Sequence, residues 1–269
     1  MSKAVAFLLL ALPAVAHSQA FDVISIKPAR SSDPRDMRLR VLPNGDLHAT
    51  ALPVLLLVGY AYDVPINPSP RLSGLPAWRD TWDIEAKAPA NAVAPDLPEN
   101  QKRSRIQRMI RALLADRFKL VMRVEQKTMP VYALSIARGG PNLQKSIIAA
   151  KDCVFDTGNP ESCHGFIAGR GHPLNGRAID MDDLARYIEN WADMPVVNRT
   201  ALSGLFAVRT EGWAPMRLPP PPPGNAPAAR LDDLPTIFTV LDKLGLELKP
   251  QQATVPVYTV ERIERPAGD

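Results

Sequence analysis

Asp63-Val64-Pro65-Ile66-Asn67-Pro68-Ser69-Pro70-Arg71-Leu72-Ser73-Gly74-Leu75 returns 130 residues later as Asp193-Met194-Pro195-Val196-Val197-Asn198-Arg199-Thr200-Ala201-Leu202-Ser203-Gly204-Leu205, with six of thirteen positions identical and no gap. Upstream, Asn44-Gly45 pairs with Asn175-Gly176 if one residue of slack is allowed. Downstream, Arg117-Phe118-Lys119-Leu120 pairs with Lys243-Leu244-Gly245-Leu246 at a spacing of 126. That register then carries Thr128, Pro130, Val131 and Tyr132 onto Thr254, Pro256, Val257 and Tyr258. Self-similarity at a near-constant spacing marks an internal duplication and constrains the fold before any single element is read.

Each copy has the same order of elements. The apolar run Ala51 to Tyr62 predicts a helix buried on most sides, with Pro53 tolerable only in its first turn. Its counterpart, Asp180 to Ala192, spaces Leu184, Ile188 and Trp191 on one face and puts Asp180, Asp182 and Asp183 at the N-terminus, where the helix dipole favours anions. Strands follow at Thr81 to Ala86 and Phe206 to Thr210, then a variable loop. In the first copy the loop is Ala90 to Gln101; in the second it holds Pro219 to Pro223, an extended polyproline stretch. Ile106, Met109, Ile110, Leu113 and Leu114 form the stripe of a second helix. Leu234, Ile237, Phe238, Leu241 and Leu244, stopped by Gly245, repeat it. Two strands close each copy: Lys119 to Gln126 with Val131 to Ala137, and Leu246 to Gln252 with Val257 to Ile263. Their short connections predict hairpins. Phe21 to Lys27 adds a strand at the start.

This order predicts an α+β fold of two tandem repeats, each with two helices packed on a small mixed or antiparallel sheet. The expected boundaries are a signal peptide over 1–20, a first repeat over 21–140, a Cys-containing connector over 141–172 and a second repeat over 173–269.

The signal peptide is read from Lys3, the apolar run Ala4 to Leu12, Pro13 and small residues beyond it. Ala14-Val15-Ala16 and Ser18-Gln19-Ala20 both fit the small-x-small cleavage rule; cleavage after Ala20 is preferred because a strand begins at Phe21. No Cys follows the run, which argues against a lipid anchor. No later segment approaches the roughly 18 apolar residues of a membrane helix, so the mature chain is expected to be soluble, exported to the periplasm or beyond, and without a transmembrane segment.

The net charge of +4 is spread along the chain, a balance that implies solubility rather than nucleic-acid binding. Lys102, Arg103, Arg105, Arg108 and Arg111 are read as a solvated helix face opposite the apolar stripe. Cys153 and Cys163 are the chain's two cysteines, and in an oxidising compartment a disulfide between them is expected. On the loop-entropy account it constrains the unfolded chain by about 3 kcal/mol.

With these residues in hand, the chain resembles a soil-associated family of exported proteins of unknown function, of acidobacterial type. The resemblance is carried by Phe21 to Pro28, by Gly74-Leu75-Pro76-Ala77-Trp78 with Trp82 to Ala88, and by Leu113 to Leu120 with Pro130 to Leu134. It implies export and this architecture, and assigns no reaction. Related segments fused to membrane metallopeptidases of the antirepressor type imply a sensing or binding role, although the peptidase motif His-Glu-x-x-His is absent here. Each repeat is also similar in element order to the short N-terminal domain of secretins and TonB-dependent receptors.

No Gly-x-Ser-x-Gly elbow, Ser-x-x-Lys or Walker loop occurs, and Gly169-Arg170-Gly171 lacks the third glycine of a dinucleotide fingerprint. Cys153, Cys163, His164 and His172 are all zinc-competent, but their spacing fits no zinc motif and a disulfide would consume both thiols, so neither metal nor cofactor is expected. His48 stands alone. Trp191 falls on a helix stripe, whereas Trp78 and Trp213 lie near loops and are the candidate ligand-binding residues. Tyr132 and Tyr258 are repeat-equivalent, which implies a shared packing task. The function expected is an extracytoplasmic binding, interaction or sensing module for an unknown protein or small-molecule ligand. A hydrolase with an unrecognised site is the alternative. A purely structural partner would instead present an open sheet edge.

Overall fold

The computed structural model describes residues 20–31, 33–66, 69–157, 159, 162–167, 171–217 and 233–267. The signal-peptide stretch up to residue 19, the prolines Pro219 to Pro223, and Gly169 with Arg170 lie outside them.

β1 (Val23–Pro28), β2 (Arg38–Val41) and β3 (Leu47–Pro53) precede the first helix, α1 (Val54–Tyr62). The sequence places the start of that helix at Ala51, but the strand runs on to Pro53. There the extended backbone (φ −62, ψ 136) acts as the N-cap, and the missing N–H costs nothing because helix-start N–H groups have no intrahelical partner. Ala51 itself takes φ 46 at a register shift between Ala49 and Leu52. Its N–H is satisfied by the Asp83 carboxylate at 2.9 Å. α1 stops at Asp63, which is left-handed (φ 55), two residues before Pro65. β4 (Leu72–Ser73), β5 (Thr81–Lys87), α2 (Glu99–Arg117) and β6 (Val121–Ile136) complete this half. The predicted stripe of α2 is buried.

Beyond β6 come β7 (Gln144–Lys145), β8 (Phe155–Asp156) and β9 (Gly176–Ile179). α3 (Met181–Glu189) follows, then β10 (Val196–Asn198), β11 (Phe206–Val208), α4 (Ile237–Lys243) and β12 (Leu246–Arg262). α3 begins with a full capping box: Asp180 accepts from the Asp183 N–H, and Asp183 accepts from the Asp180 N–H.

The described residues form three sheets, so the fold is α+β. The first is antiparallel, in the order β1-β5-β3-β2-β8, and α1 and α2 pack with it around Leu57, Ile84, Ile110 and Phe118. The second has the order β10-β6-β12-β4, the third β7-β11-β9. A second core gathers Leu134, Leu184, Ile188, Trp213, Val240 and Leu246 under α3 and α4.

The predicted hairpins are absent. Thr128-Met129-Pro130 offers no Gly or Asn for a tight turn, so β6 runs straight through, and β12 does the same through Thr254-Val255-Pro256. The two long strands pair with each other instead, antiparallel, with Thr128 opposite Thr254 and their hydroxyls 2.9 Å apart. Each crosses from one core to the other: Met122 and Tyr132 of β6 lie on the first and second cores, Leu246 and Val260 of β12 on the second and first. The short strands are exchanged as well. β4 pairs in parallel with β12, while β10 pairs in parallel with β6. The halves are therefore locked through one sheet and cannot sit apart as independent beads.

The paired motifs Leu72 to Leu75 and Leu202 to Leu205 hold their glycines in different surroundings. Gly74 (φ +75) lies where an added Cβ would meet the Val260 carbonyl oxygen at 2.3 Å, whereas at Gly204 (φ +85) the nearest atom is the flexible end of Lys145 at 3.4 Å. Gly204→Ala is expected to cost about 1 kcal/mol of backbone strain. Gly74→Ala adds the clash at the β4–β12 junction, for a total of roughly 2–4 kcal/mol. Urea unfolding of the two variants measures the difference.

Candidate functional site

Four segments deliver charged side chains to one enclosed point between the halves. The left-handed end of α1 supplies Asp63, the first turns of α2 supply Glu99 and Arg103, and α3 supplies Asp180, Asp183 and Arg186. The fourth segment is the loop after Cys163, where His164 is itself left-handed (φ 57). The Cys153–Cys163 disulfide fixes that loop, with Cα atoms 5.5 Å apart. Cys163 also bridges in parallel to Ala178 of β9, and the His164 N–H bonds the Ala178 carbonyl at 2.8 Å.

Asp183 is the hub, and its side chain has no solvent exposure. Its Oδ2 accepts from His164 Nδ1 at 2.6 Å and from the Asp180 N–H at 3.0 Å. Its Oδ1 accepts from Arg103 Nη1 at 2.8 Å and Arg186 Nη2 at 2.7 Å. Arg103 reaches on to Asp63 at 2.6 Å, and Arg186 also bonds Asp63. Glu99 lies 3.5 Å from His164 Nε2 and 3.9 Å from Lys102 Nζ. A second pair joins the halves nearby, Arg71 to Glu189, through two bonds of 2.7 Å.

The placement of Lys102 and Arg103 corrects the solvated-face reading of α2. Lys102 is 6% exposed and Arg103 turns into the network; Arg108 alone of the five is exposed. Burying so many charges is tolerable only because each has an opposite partner.

Burial pushes Asp180 up to about 6, helped by the Asp183 charge. For Asp183 burial acts the same way, but His164 and Arg103 outweigh it and hold the carboxyl well below the usual range. Burial alone would lower His164; the Asp183 charge and hydrogen bond, with Glu99, raise it to about 10. The imidazole is thus a cation at neutral pH and has no lone pair with which to act as a base.

His164, Asp180 and Asp183 hold potential metal ligand atoms within 4.8 Å of one another. The guanidinium groups of Arg103 and Arg186 already occupy the positions from which a cation would neutralise Asp183. The zinc-competent set weighed from the sequence does not come together: both cysteines are in the disulfide, and His172 stacks on Trp191 with ring centroids 3.6 Å apart.

Above this network lies a groove of about 700 Å³, built by both halves. Leu52, Leu56 and Val64 come from α1 and its flanks, Phe155 from β8, and Phe166 and Tyr187 from the far side. The aromatic residues pair: Tyr60 with Phe155 at 5.0 Å, and Phe166 stacked on Tyr187 at 4.0 Å. His164, Asp183 and Arg186 form the floor. A smaller cavity of about 40 Å³ on the other side of Tyr60 is lined by Glu99, Arg103 and His164.

The tryptophans singled out from the sequence lie elsewhere. Trp213 is fully enclosed in the second core and offers no surface to a ligand; its position after β11, which resembles a loop in sequence, is roofed by α4 and His172. Trp78 packs half-buried on the first core with the Arg265 guanidinium 5.4 Å above its ring. Trp82 is buried edge-to-face on Phe118, and Trp191 packs on the second core. His48 pairs with Glu85 on the first sheet. The groove residues went unnoticed because Leu56, Phe155 and Tyr187 are ordinary apolar positions in sequence, brought together only by the seam. Their one signal was the disulfide, which ties Phe155 and His164 into one loop.

The chain belongs to the family described as "Protein of unknown function (DUF3738)", which matches residues 56–263. No curated protein and no solved structure matches it. The matched span takes in both long strands, the disulfide loop and most of the groove. No helix among the described residues is long and apolar enough to cross a membrane.

A histidine whose folded-state pKa is raised contributes stability that is complete below its ordinary value of 6.5 and lost as pH climbs through about 10. The protein should therefore lose stability between pH 6.5 and 10, by roughly 1 kcal/mol or more. His164→Gln should be less stable at pH 6 and should flatten that decline. Urea midpoints of both proteins at pH 6, 8 and 10 test this, and parallel curves would refute it.

Proposed function

We propose that the protein is an exported binding module, and that its ligand site is the groove at the seam of the two halves. One observation carries this: a concave, aromatic-walled groove of about 700 Å³ stands on a floor whose charged side chains are fixed by one another. Ligand sites are concave, mostly apolar and pre-formed, and they favour the junctions between units. The disulfide and the lack of a membrane-crossing helix among the described residues support an extracytoplasmic, soluble setting.

The two halves are, on the same reading, diverged copies of one unit. In each, a strand, a helix, two strands, a helix and a long strand follow in order, β3 to β6 and β9 to β12. Tyr132 and Tyr258 stand at matching places on the long strands, opposite Val196 and Leu72 of the exchanged short ones. That equivalence sets Leu72 against Val196 rather than Leu202, so the Leu-Ser-Gly-Leu identities lie out of step with the strand pairing.

The hydrolase alternative rests on the close Asp183–His164 pair. With His164 protonated and enclosed, and hydrogen-bonded among the described residues to no Ser or Thr hydroxyl, the pair serves the architecture of the floor.

Titration with the uncharged fluorophore N-phenyl-1-naphthylamine tests the site. Saturable binding near one equivalent is expected, weakened at least tenfold by Leu56→Glu, which puts an unpaired charge in the wall, about 1.4 kcal/mol or more. Tyr187→Ala should weaken it too, and Val124→Glu on the exposed face of β6 should leave it unchanged. Binding that does not saturate, or that ignores both groove variants, rejects the groove.

A further inference from the structure

The groove's charge pattern narrows what it can hold. Among the described residues five charged side chains line it: Arg35, Asp156, His164, Asp183 and Arg186. Each has an oppositely charged partner within the protein, although the buried Nε2 of His164 makes no hydrogen bond and lies 3.5 Å from Glu99. Arg35 pairs with Asp33 at the solvated rim, and Asp156 takes two bonds from Arg38, at 2.7 and 2.5 Å. His164 and Arg186 converge on Asp183, with Asp63 as the second partner of Arg186. A charged headgroup entering this space would lose its hydration and find no uncommitted counter-charge. At the floor it would have to break a pair centred on the fully buried Asp183, while at the rim Arg35 stays solvated beside Asp33. The partly exposed walls of Leu56, Phe155 and Phe166 reward apolar area instead.

We infer that the groove takes an uncharged, largely apolar ligand, one with a hydrocarbon or aromatic body and at most a neutral polar group. The inference rests on the groove being a ligand site. Tyr187 gives the neutral group something to meet: burial pushes its phenol up to about 12, so it stays an uncharged donor and acceptor across the physiological range.

The experiment displaces N-phenyl-1-naphthylamine from the full-length protein with three ligands sharing one ten-carbon tail: 1-decanol, decanoate and decyltrimethylammonium. Decanol is expected to displace the probe at concentrations at least tenfold lower than either ion. In Arg186→Gln, which strips one partner each from Asp63 and Asp183, the cation should gain about tenfold on decanol. The wild-type ranking decides the matter even if that variant does not fold. Decanoate or decyltrimethylammonium displacing as well as decanol, or no displacement by any of the three while the probe binds, would overturn the inference and leave the site standing. Absence of saturable probe binding would remove the site itself.

Discussion

Four donors hold the buried Asp183 carboxylate. They come from three places in the chain: the start of α3 and Arg186 within it, Arg103 on α2, and His164 at the end of the disulfide loop. An ion so placed is a poor source of net stability, because its desolvation cost rivals the attraction it gains. Its effect is on geometry. Any shift of α3 against α2 strands a buried charge, so the halves have one permitted docking. The groove inherits that rigidity, since Asp183, Arg186 and His164 are its floor.

The long ribbon imposes a complementary constraint. β6 and β12 pair from one end to the other, and each carries the short strand of the opposite half on its outer edge. Neither half completes the ribbon sheet or a core by itself, because β6 and β12 each pair with strands of the other half, Val260 completes the first core and Leu134 the second. Cooperative folding of the whole follows, and with it a seam that persists rather than opening like a hinge between loosely joined domains. A ligand site at such a seam is shaped before the ligand arrives, which reduces the ordering cost of binding.

Much of this architecture was legible locally and little of it globally. The stripe of α2, the acidic start of α3 and the pairing of Cys153 with Cys163 were readable because period, helix dipole and cysteine count act on neighbouring residues. The capping reading of Asp180 and Asp183 was right as far as it went: the same Asp183 that caps α3 also binds His164 and two arginines, and nothing near it in sequence announces partners 19 and 80 residues away. The predicted hairpins failed for a related reason. Period-two patterning fixes which residues face a core but not which strand lies alongside, and Pro130 and Pro256 resembled turn punctuation while serving as strand residues. Trp213 was misplaced because a short strand followed by an irregular stretch looks exposed until the helix that covers it is known.

The disulfide loop ties the site to the oxidation state of its two cysteines. Its ten-residue span supplies β8, the edge strand of the first sheet, and at its other end Cys163 bridges to β9 in the third. Between them sit Phe155, in the groove wall, and, one residue past the bridge, His164 in its floor. Closing the loop places an apolar contact and a buried cation in fixed relation, although neither cysteine touches the groove. His164 adopts a left-handed backbone that a non-glycine residue holds only when its surroundings compel it, and here the bridge behind it and Asp183 ahead of it do so. An oxidised Cys153–Cys163 pair is therefore a condition for the geometry of this site as well as for the stability of the chain.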